Sequence, residues 1–232
     1  MGWLRSSKII ASLILGALLL VAIVLWTLSI SSHEDWQYSV LYTDLPEVSG
    51  LQSHDKSIYV TLETRNYDGK LVSIVDGNRS TVVSGLQKPD GLTTSLGSLV
   101  YTQEFGESPV YEVINGVPHG LFITDCAEGI DSTLNGDLYV VEDRLGGRVL
   151  KYERSTGKIS ELATDLESGE GICAMESGVV YFSERDKGIV YKIQDGEISE
   201  YLTALNSPGF LLCDDESQSI WITEDRRNYG RL

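Results

Sequence analysis

The stretch "EGIDSTLNGDLYVVEDRLGGRVLKYERSTGKISELATDL", residues 128–166, decides the fold. It opens on a turn of the form x-Gly-apolar. The runs "LYVVE" (138–142), "GRVLKYE" (147–153) and "KISELATDL" (158–166) follow, separated by short turns. Runs of this length, rich in β-branched and aromatic residues and bounded by Gly, Asn, Asp and Ser, read as strands. With the apolar residues after the opening glycine they make a four-stranded antiparallel unit.

The unit recurs. The opening turn returns as "SGL" (49–51), "DGL" (90–92), "EGI" (170–172) and "PGF" (208–210), with glycines 38 to 42 residues apart. Each repeat then has a strand ending in glutamate: "IYVTLE" to Glu63, "LVYTQE" to Glu104, "LYVVE" to Glu142, "VYFSE" to Glu184 and "IWITE" to Glu224. Third runs ("GKLVSIV", "SPVYEVI", "GIVYKI") lead through Asp-Gly or Asn-Gly turns, which accept the positive φ of tight hairpins, into fourth runs ("STVVSGL", "VPHGLFIT", "EISEYLTAL"). Four short strands at a period near 40 predict an all-β protein, a β-propeller of four-stranded antiparallel blades with five repeats visible. An immunoglobulin-like sandwich would not repeat one pattern five times. The segment "YSVLYTDL" (38–45) matches the fourth runs, so it is expected to close the ring by pairing with the last blade. Two accounts of the ring are open at this level: five blades filling the chain, or a truncated form of a six-bladed propeller.

Ahead of the repeats, residues 9–30 read "IIASLILGALLLVAIVLWTLSI", 22 residues without a charge. A helix of that length rises roughly 33 Å and spans a bilayer core. Arg5 and Lys8 precede it and Glu34 and Asp35 follow it, which predicts a cytoplasmic N-terminus. A signal peptide has a shorter apolar region and a small-x-small cleavage site, so an uncleaved anchor is favoured. The expected organisation is therefore 1–8 cytoplasmic, 9–30 transmembrane, 31–37 linker and 38–232 propeller. The propeller would lie outside the cytoplasm, in the periplasm, at the cell surface or in a lumen. Of the three cysteines, Cys126, Cys173 and Cys213, the last two sit in equivalent apolar runs and are expected to be buried thiols, a Cys173–Cys213 bridge being the lesser alternative.

Acidic residues outnumber basic ones 34 to 18, a formal charge of −16. That disfavours nucleic acid as a partner and favours cations. The turn residues Ser49, Asp90, Glu128, Glu170 and Pro208 and the strand-end glutamates Glu63, Glu104, Glu142, Glu184 and Glu224, with Asp143, Asp186 and Asp225 beside several of them, are expected around one mouth of the channel. Carboxylates brought together raise one another's pKa unless a cation joins them. Ca2+, which takes six to eight oxygen ligands, suits such a donor set; zinc does not, because no Cys or His pair stands at ligand spacing. The candidate metal ligands are Asp90, Glu128, Glu170, Glu142, Glu184 and Glu224. The loops "ETRNYDG" (63–69) and "EDRRNYG" (224–230) share Arg-Asn-Tyr, making Arg65, Asn66, Arg227 and Asn228 candidate ligand-binding residues. No G-x-S-x-G nucleophile elbow is present.

With "PDGL…LVYTQE", "EGI…GDLYVVEDRLGGRVLKYERSTGK" and "GEGI…VVYFSERDKGIVYKI" in view, the chain resembles the propeller superfamily of gluconolactonase and senescence-marker-like lactonases, strictosidine synthase-like proteins and NHL-repeat proteins, over roughly residues 38–232. An anchor followed by such a propeller is most similar to the membrane-bound strictosidine synthase-like members. The lactonase branch has six blades and holds a divalent cation through Glu, Asn and Asp of inner strands and turns. That resemblance implies a cation at Glu128 and Glu170, with Asp90, although no Asn stands at an inner-strand ligand position here. The "PHG" at Pro118–Gly120 falls on an outer strand, away from the channel. The expected function is a Ca2+-dependent lactone or ester hydrolase of small molecules, with Glu128 and Glu170 catalytic. The alternative is a non-catalytic propeller that binds a protein or carbohydrate on its channel face.

Overall fold

The computed structural model describes residues 39–226 and 229–231. The expected anchor at 9–30 lies outside the described residues. Among those described, every regular element is a strand.

The first sheet is β1 (Val48–His54), β2 (Ser57–Leu62), β3 (Gly69–Val75) and β4 (Asn78–Leu86). The second is β5 (Pro89–Ser95), β6 (Ser98–Gln103), β7 (Glu107–Ile114) and β8 (Val117–Asp125). The third is β9 (Ala127–Ser132), β10 (Leu138–Glu142), β11 (Gly147–Tyr152) and β12 (Ile159–Leu166). The fourth is β13 (Gly169–Ala174), β14 (Val180–Glu184), β15 (Ile189–Gln194) and β16 (Glu197–Leu202). The fifth has β17 (Pro208–Asp214), β18 (Ser219–Arg226) and the short β19 (Tyr229–Arg231). Each is an antiparallel meander in chain order, and the first strands adjoin in the order β1, β5, β9, β13, β17. These are the blades of a propeller with their first strands around a central channel.

Apolar side chains between facing sheets hold the blades together. Leu71, Val83 and Leu86 of the first sheet pack on Leu92, Leu99 and Tyr101 of the second. Val141, Val149 and Leu166 of the third pack on Ile172, Val180 and Phe182 of the fourth.

The repeat's glycine has a specific cause. In every blade the pairing of the first two strands slips by one residue, as between Pro89↔Gln103 and Leu92↔Tyr101, leaving Asp90 and Gly91 opposite Thr102 alone. That is a β-bulge, and it recurs at Ser49–Gly50, Glu128–Gly129, Glu170–Gly171 and Gly209–Phe210. A Cβ on Gly91 would stand 2.4 Å from the Glu128 carbonyl oxygen of the next blade. The close approach is fastened by a hydroxyl: Thr61 accepts from the Gly50 N–H (2.6 Å) and donates to the Asp90 carbonyl (2.6 Å). Thr102 donates to the Glu128 carbonyl (2.8 Å) and Ser183 to that of Gly209 (2.8 Å).

Three expectations are corrected. The sequence predicts a strand over 38–45, but the described residues 39–45 form none. In the fifth blade the bulge pair is Gly209–Phe210, so Gly209 rather than Pro208 takes the position of Asp90. Cys173 and Cys213 form a disulfide rather than two buried thiols, because adjacent first strands bring their Cα atoms to 5.5 Å. With 40 residues between its ends, this bridge stabilises by about 3–4 kcal/mol on the loop-entropy scale. Cys213→Ser is expected to lower the denaturant midpoint accordingly.

Candidate functional site

The bulge re-aims the side chain just before each glycine, and in three consecutive blades that residue is Asp90, Glu128 or Glu170. Asp90 is fully buried and Glu128 is 6% exposed. A second tier comes from the residue that follows each second strand's last pair with its first strand. Its backbone N–H donates to the preceding interblade turn: Glu63 to Glu47, Glu104 to Lys88, Asp143 to Cys126, Arg185 to Ser168 and Asp225 to Ser207. The second tier therefore reads Glu63, Glu104, Asp143, Arg185, Asp225.

The two tiers meet. Carboxylate oxygens of Glu63, Asp90 and Glu104 lie within 4.8 Å of one another, as do those of Glu104, Glu128 and Asp143. Two cations enter this cluster. Lys88 contacts Glu104 and lies 3.2 Å from Glu63. Arg185 is 2.5 Å from Glu170 and 3.3 Å from Asp143. Ser49 donates to Asp90 Oδ1, while Asp90 Oδ2 and Glu128 Oε2 are buried without a hydrogen-bond partner.

Burial is the first cause of the upward shift of Asp90, Glu128 and Glu170. Asp90 and Glu128 are pushed up together, by burial and, for Glu128, then by the charges of Asp90 and Glu170. Glu170 is pushed up to about 7 by burial, against the pull of Arg185. The ordinary values are 3.8 for Asp and 4.5 for Glu, so each folded value lies above the unfolded one. The stability these groups contribute is full below about pH 4 and is lost as pH rises through the folded values. The cation-free protein is expected to melt higher at pH 5 than at pH 8, and Ca2+ to raise the melting temperature at pH 8 far more than at pH 5, read by thermal scans.

Of the sequence-derived candidates, Asp90, Glu128 and Glu170 are brought together. Glu142, Glu184 and Glu224 are not, because they stand one residue earlier in the repeat than Glu63 and Glu104. Glu142 accepts from the Asp125 N–H (2.9 Å) and from Arg148 (2.7 and 2.9 Å). Glu184 accepts from the Glu167 N–H and from Lys187, both 2.8 Å. Glu224 accepts from the Asn206 N–H (2.6 Å). They fasten the turns between blades. The sequence carried the signal in the doublets Gln103-Glu104 and Glu142-Asp143, whose second members share the mouth. Arg65 and Asn66 line a shallow surface depression with Glu47, Glu63 and Thr64; Arg227 and Asn228 lie outside the described residues. His119 is exposed on β8, away from the channel as expected.

The donor set fits a hard divalent cation. It is all oxygen, gathered from flexible carboxylates, with two buried oxygens uncommitted. Beneath it, the channel forms a cavity of about 450 Å³ lined by residues such as Leu92, Ile130, Ile172, Leu211 and Trp221, with Asp131 as its charged member. Burial pushes Asp131 up to about 6, although its oxygens accept from the Ser132 and Ala174 N–H groups.

No protein-family model matches the sequence, and no curated protein sequence matches it. Solved structures do match in fold. A structure of a nidogen/laminin complex shares 17% identity at a TM-score of 0.68, over 78% of this chain and 73% of that one. A gluconolactonase from Xanthomonas campestris shares 12% at 0.68, over 79% and 72%. Virginiamycin B lyase from Staphylococcus aureus shares 18% at 0.60, over 76% and 62%, so the chain spans less than two thirds of that protein. The propeller fold read from the repeats is thus shared with the gluconolactonase, the lyase and the nidogen/laminin structure alike, and fold alone does not choose among their activities.

Proposed function

We propose that the channel mouth binds a divalent cation, Ca2+ by its donor chemistry, and that the protein hydrolyses a small lactone or ester there. The observation that carries this reading is the pair of buried, unpartnered carboxylate oxygens, Asp90 Oδ2 and Glu128 Oε2, within an all-oxygen cluster. The likeness in fold to a gluconolactonase supports it. Glu104, Glu128 and Asp143 would hold the cation, with Asp90 beside them. Bound there, a divalent cation supplies Lewis-acid polarisation of a substrate carbonyl.

The remaining residues have separable tasks. Glu170, pushed up to about 7 by burial, is matched to accept a proton from water at neutral pH. The Arg185 guanidinium, 2.5 Å from its Oε2, fixes the orientation of that carboxylate. The apolar channel wall receives the substrate's hydrocarbon part and keeps bulk water away from the mouth. Placement outside the cytoplasm behind an anchor at 9–30 belongs to the same proposal, and the Cys173–Cys213 disulfide supports an oxidising compartment.

The alternative, a non-catalytic propeller that binds a protein or carbohydrate, draws on one observation. The second-to-third-strand loops of three consecutive blades expose Tyr67, Phe105 and Leu145 at 67%, 53% and 80%. Metal analysis of the purified chain, with a lactone and aryl-ester screen before and after chelation, separates the two readings. Bound cation with chelator-sensitive hydrolysis is expected. Bound cation without hydrolysis would favour the alternative, and no bound cation would remove the basis of the first reading.

A further inference from the structure

The acidic cluster consists of two subsites that share Glu104. One is Glu63, Asp90 and Glu104; the other is Glu104, Glu128 and Asp143. They differ in what stands among them. The Lys88 ammonium contacts Glu104 and lies 3.2 Å from Glu63, and its side chain is only 16% exposed. Lys88 also touches Glu104 of the second subsite and Arg185 lies 3.3 Å from its Asp143, but among the described residues no cation contacts Glu128, whose Oε2 is buried and has no hydrogen-bond partner.

Lys88 is an exception to the repeat. The interblade turn residues whose carbonyls receive the second-tier N–H groups are Glu47, Lys88, Cys126, Ser168 and Ser207, and only one of them is basic. Its backbone is fixed at φ +49° and its N–H donates to the Thr64 carbonyl (3.0 Å). The turn therefore delivers the side chain to the mouth rather than to solvent. Its charge also favours the ionised forms of Asp90, Glu128 and Asp143, the effect a bound cation would have.

We propose that the Lys88 ammonium is the protein's own resident cation in the Glu63–Asp90–Glu104 subsite, restricting the mouth to one divalent cation, held at Glu104–Glu128–Asp143. This inference rests on the cation-binding reading above. A fixed positive charge sharing Glu104 repels a second cation and weakens the first, since like charges a few ångströms apart in a partly buried site interact strongly. Lys88 then sets both the stoichiometry and the affinity of the site.

The test is a calorimetric Ca2+ titration of the full chain, as wild type, Lys88→Met, Lys88→Gln and Lys88→Arg, with folding of each checked by near-UV circular dichroism. Wild type and Lys88→Arg are expected to bind one cation. Lys88→Met is expected to bind two, the first at least about tenfold more tightly than wild type. Lys88→Gln keeps hydrogen-bond donors for Glu63 and Glu104, so it stands in should the methionine variant not fold, with the same gain expected. A neutral variant that binds one cation at wild-type affinity would overturn the role of Lys88 and leave the cation site standing. Absence of binding in wild type and neutral variants alike would overturn the cation reading and this inference with it.

Discussion

Replacing Glu128 with glutamine is expected to raise the melting temperature of the cation-free protein at pH 8 and to abolish the further rise that Ca2+ produces. The two effects have one origin. Glu128 is buried, faces the charges of Asp90 and Glu170, and holds an oxygen without a partner. Keeping that carboxyl in the fold at pH 8 costs free energy however it titrates, and the neutral amide removes a cost on the order of 2 kcal/mol. The same change deletes a ligand. Loss of a mere supporting group lowers metal affinity about 10–100-fold, so loss of a ligand should lower it at least about 100-fold. At 100 times its Kd a cation stabilises by about 2.7 kcal/mol, roughly 5–10 °C for a domain of this size. In Glu128→Gln that increment should vanish, and any lactone hydrolysis with it. A surface role for Glu128 would instead leave both melting temperatures unchanged.

Gly91→Ala is expected to be among the most damaging single methyl additions at the described glycines. Its Cβ would stand 2.4 Å from the Glu128 carbonyl oxygen, 2.9 Å from Ile130 Cγ2 and 2.9 Å from Thr102 Oγ1. None of these is the end of a flexible side chain. Thr102 is also the group that bonds the Glu128 carbonyl at 2.8 Å, so relief requires the two first strands to part. Overpacking of this kind costs about 3 kcal/mol, a fall of roughly 6–12 °C in Tm. Because Asp90 and Glu128 flank the contact, cation binding should fail with it. Gly120→Ala, on an outer strand with its nearest neighbour at 3.2 Å, is the control and should melt near wild type.

The fold was legible because a propeller blade is a local object. Its strands adjoin in sequence, its turns need glycine, and its period repeats, so residues 128–166 alone contain the plan. The candidate site was half legible. Asp90, Glu128 and Glu170 follow from the bulge glycine they precede. The second tier was partly legible: Asp143 and Asp225 stand beside strand-end glutamates in sequence, but Glu63 and Glu104 resemble Glu142 and Glu184 there and stand one residue later in the repeat, an offset that appears on setting Pro89↔Gln103 against Ala127↔Glu142. Lys88 and Arg185 were missed for a related reason: reading a repeat emphasises what recurs, and each is the single basic residue at its position. The disulfide stood only as the lesser alternative because its bonding depends on the distance between adjacent first strands, which no periodicity specifies.

The central claim is that a cation replaces a proton within the carboxylates of the channel mouth. A Ca2+ titration of the wild-type chain at pH 7, run in two buffers of different ionisation enthalpy, tests it most directly. One cation bound per chain, with about one proton released, is the expected result, since a carboxyl held protonated by burial must give up its proton to become a ligand. Binding with no proton released, or no binding at millimolar Ca2+, would contradict it.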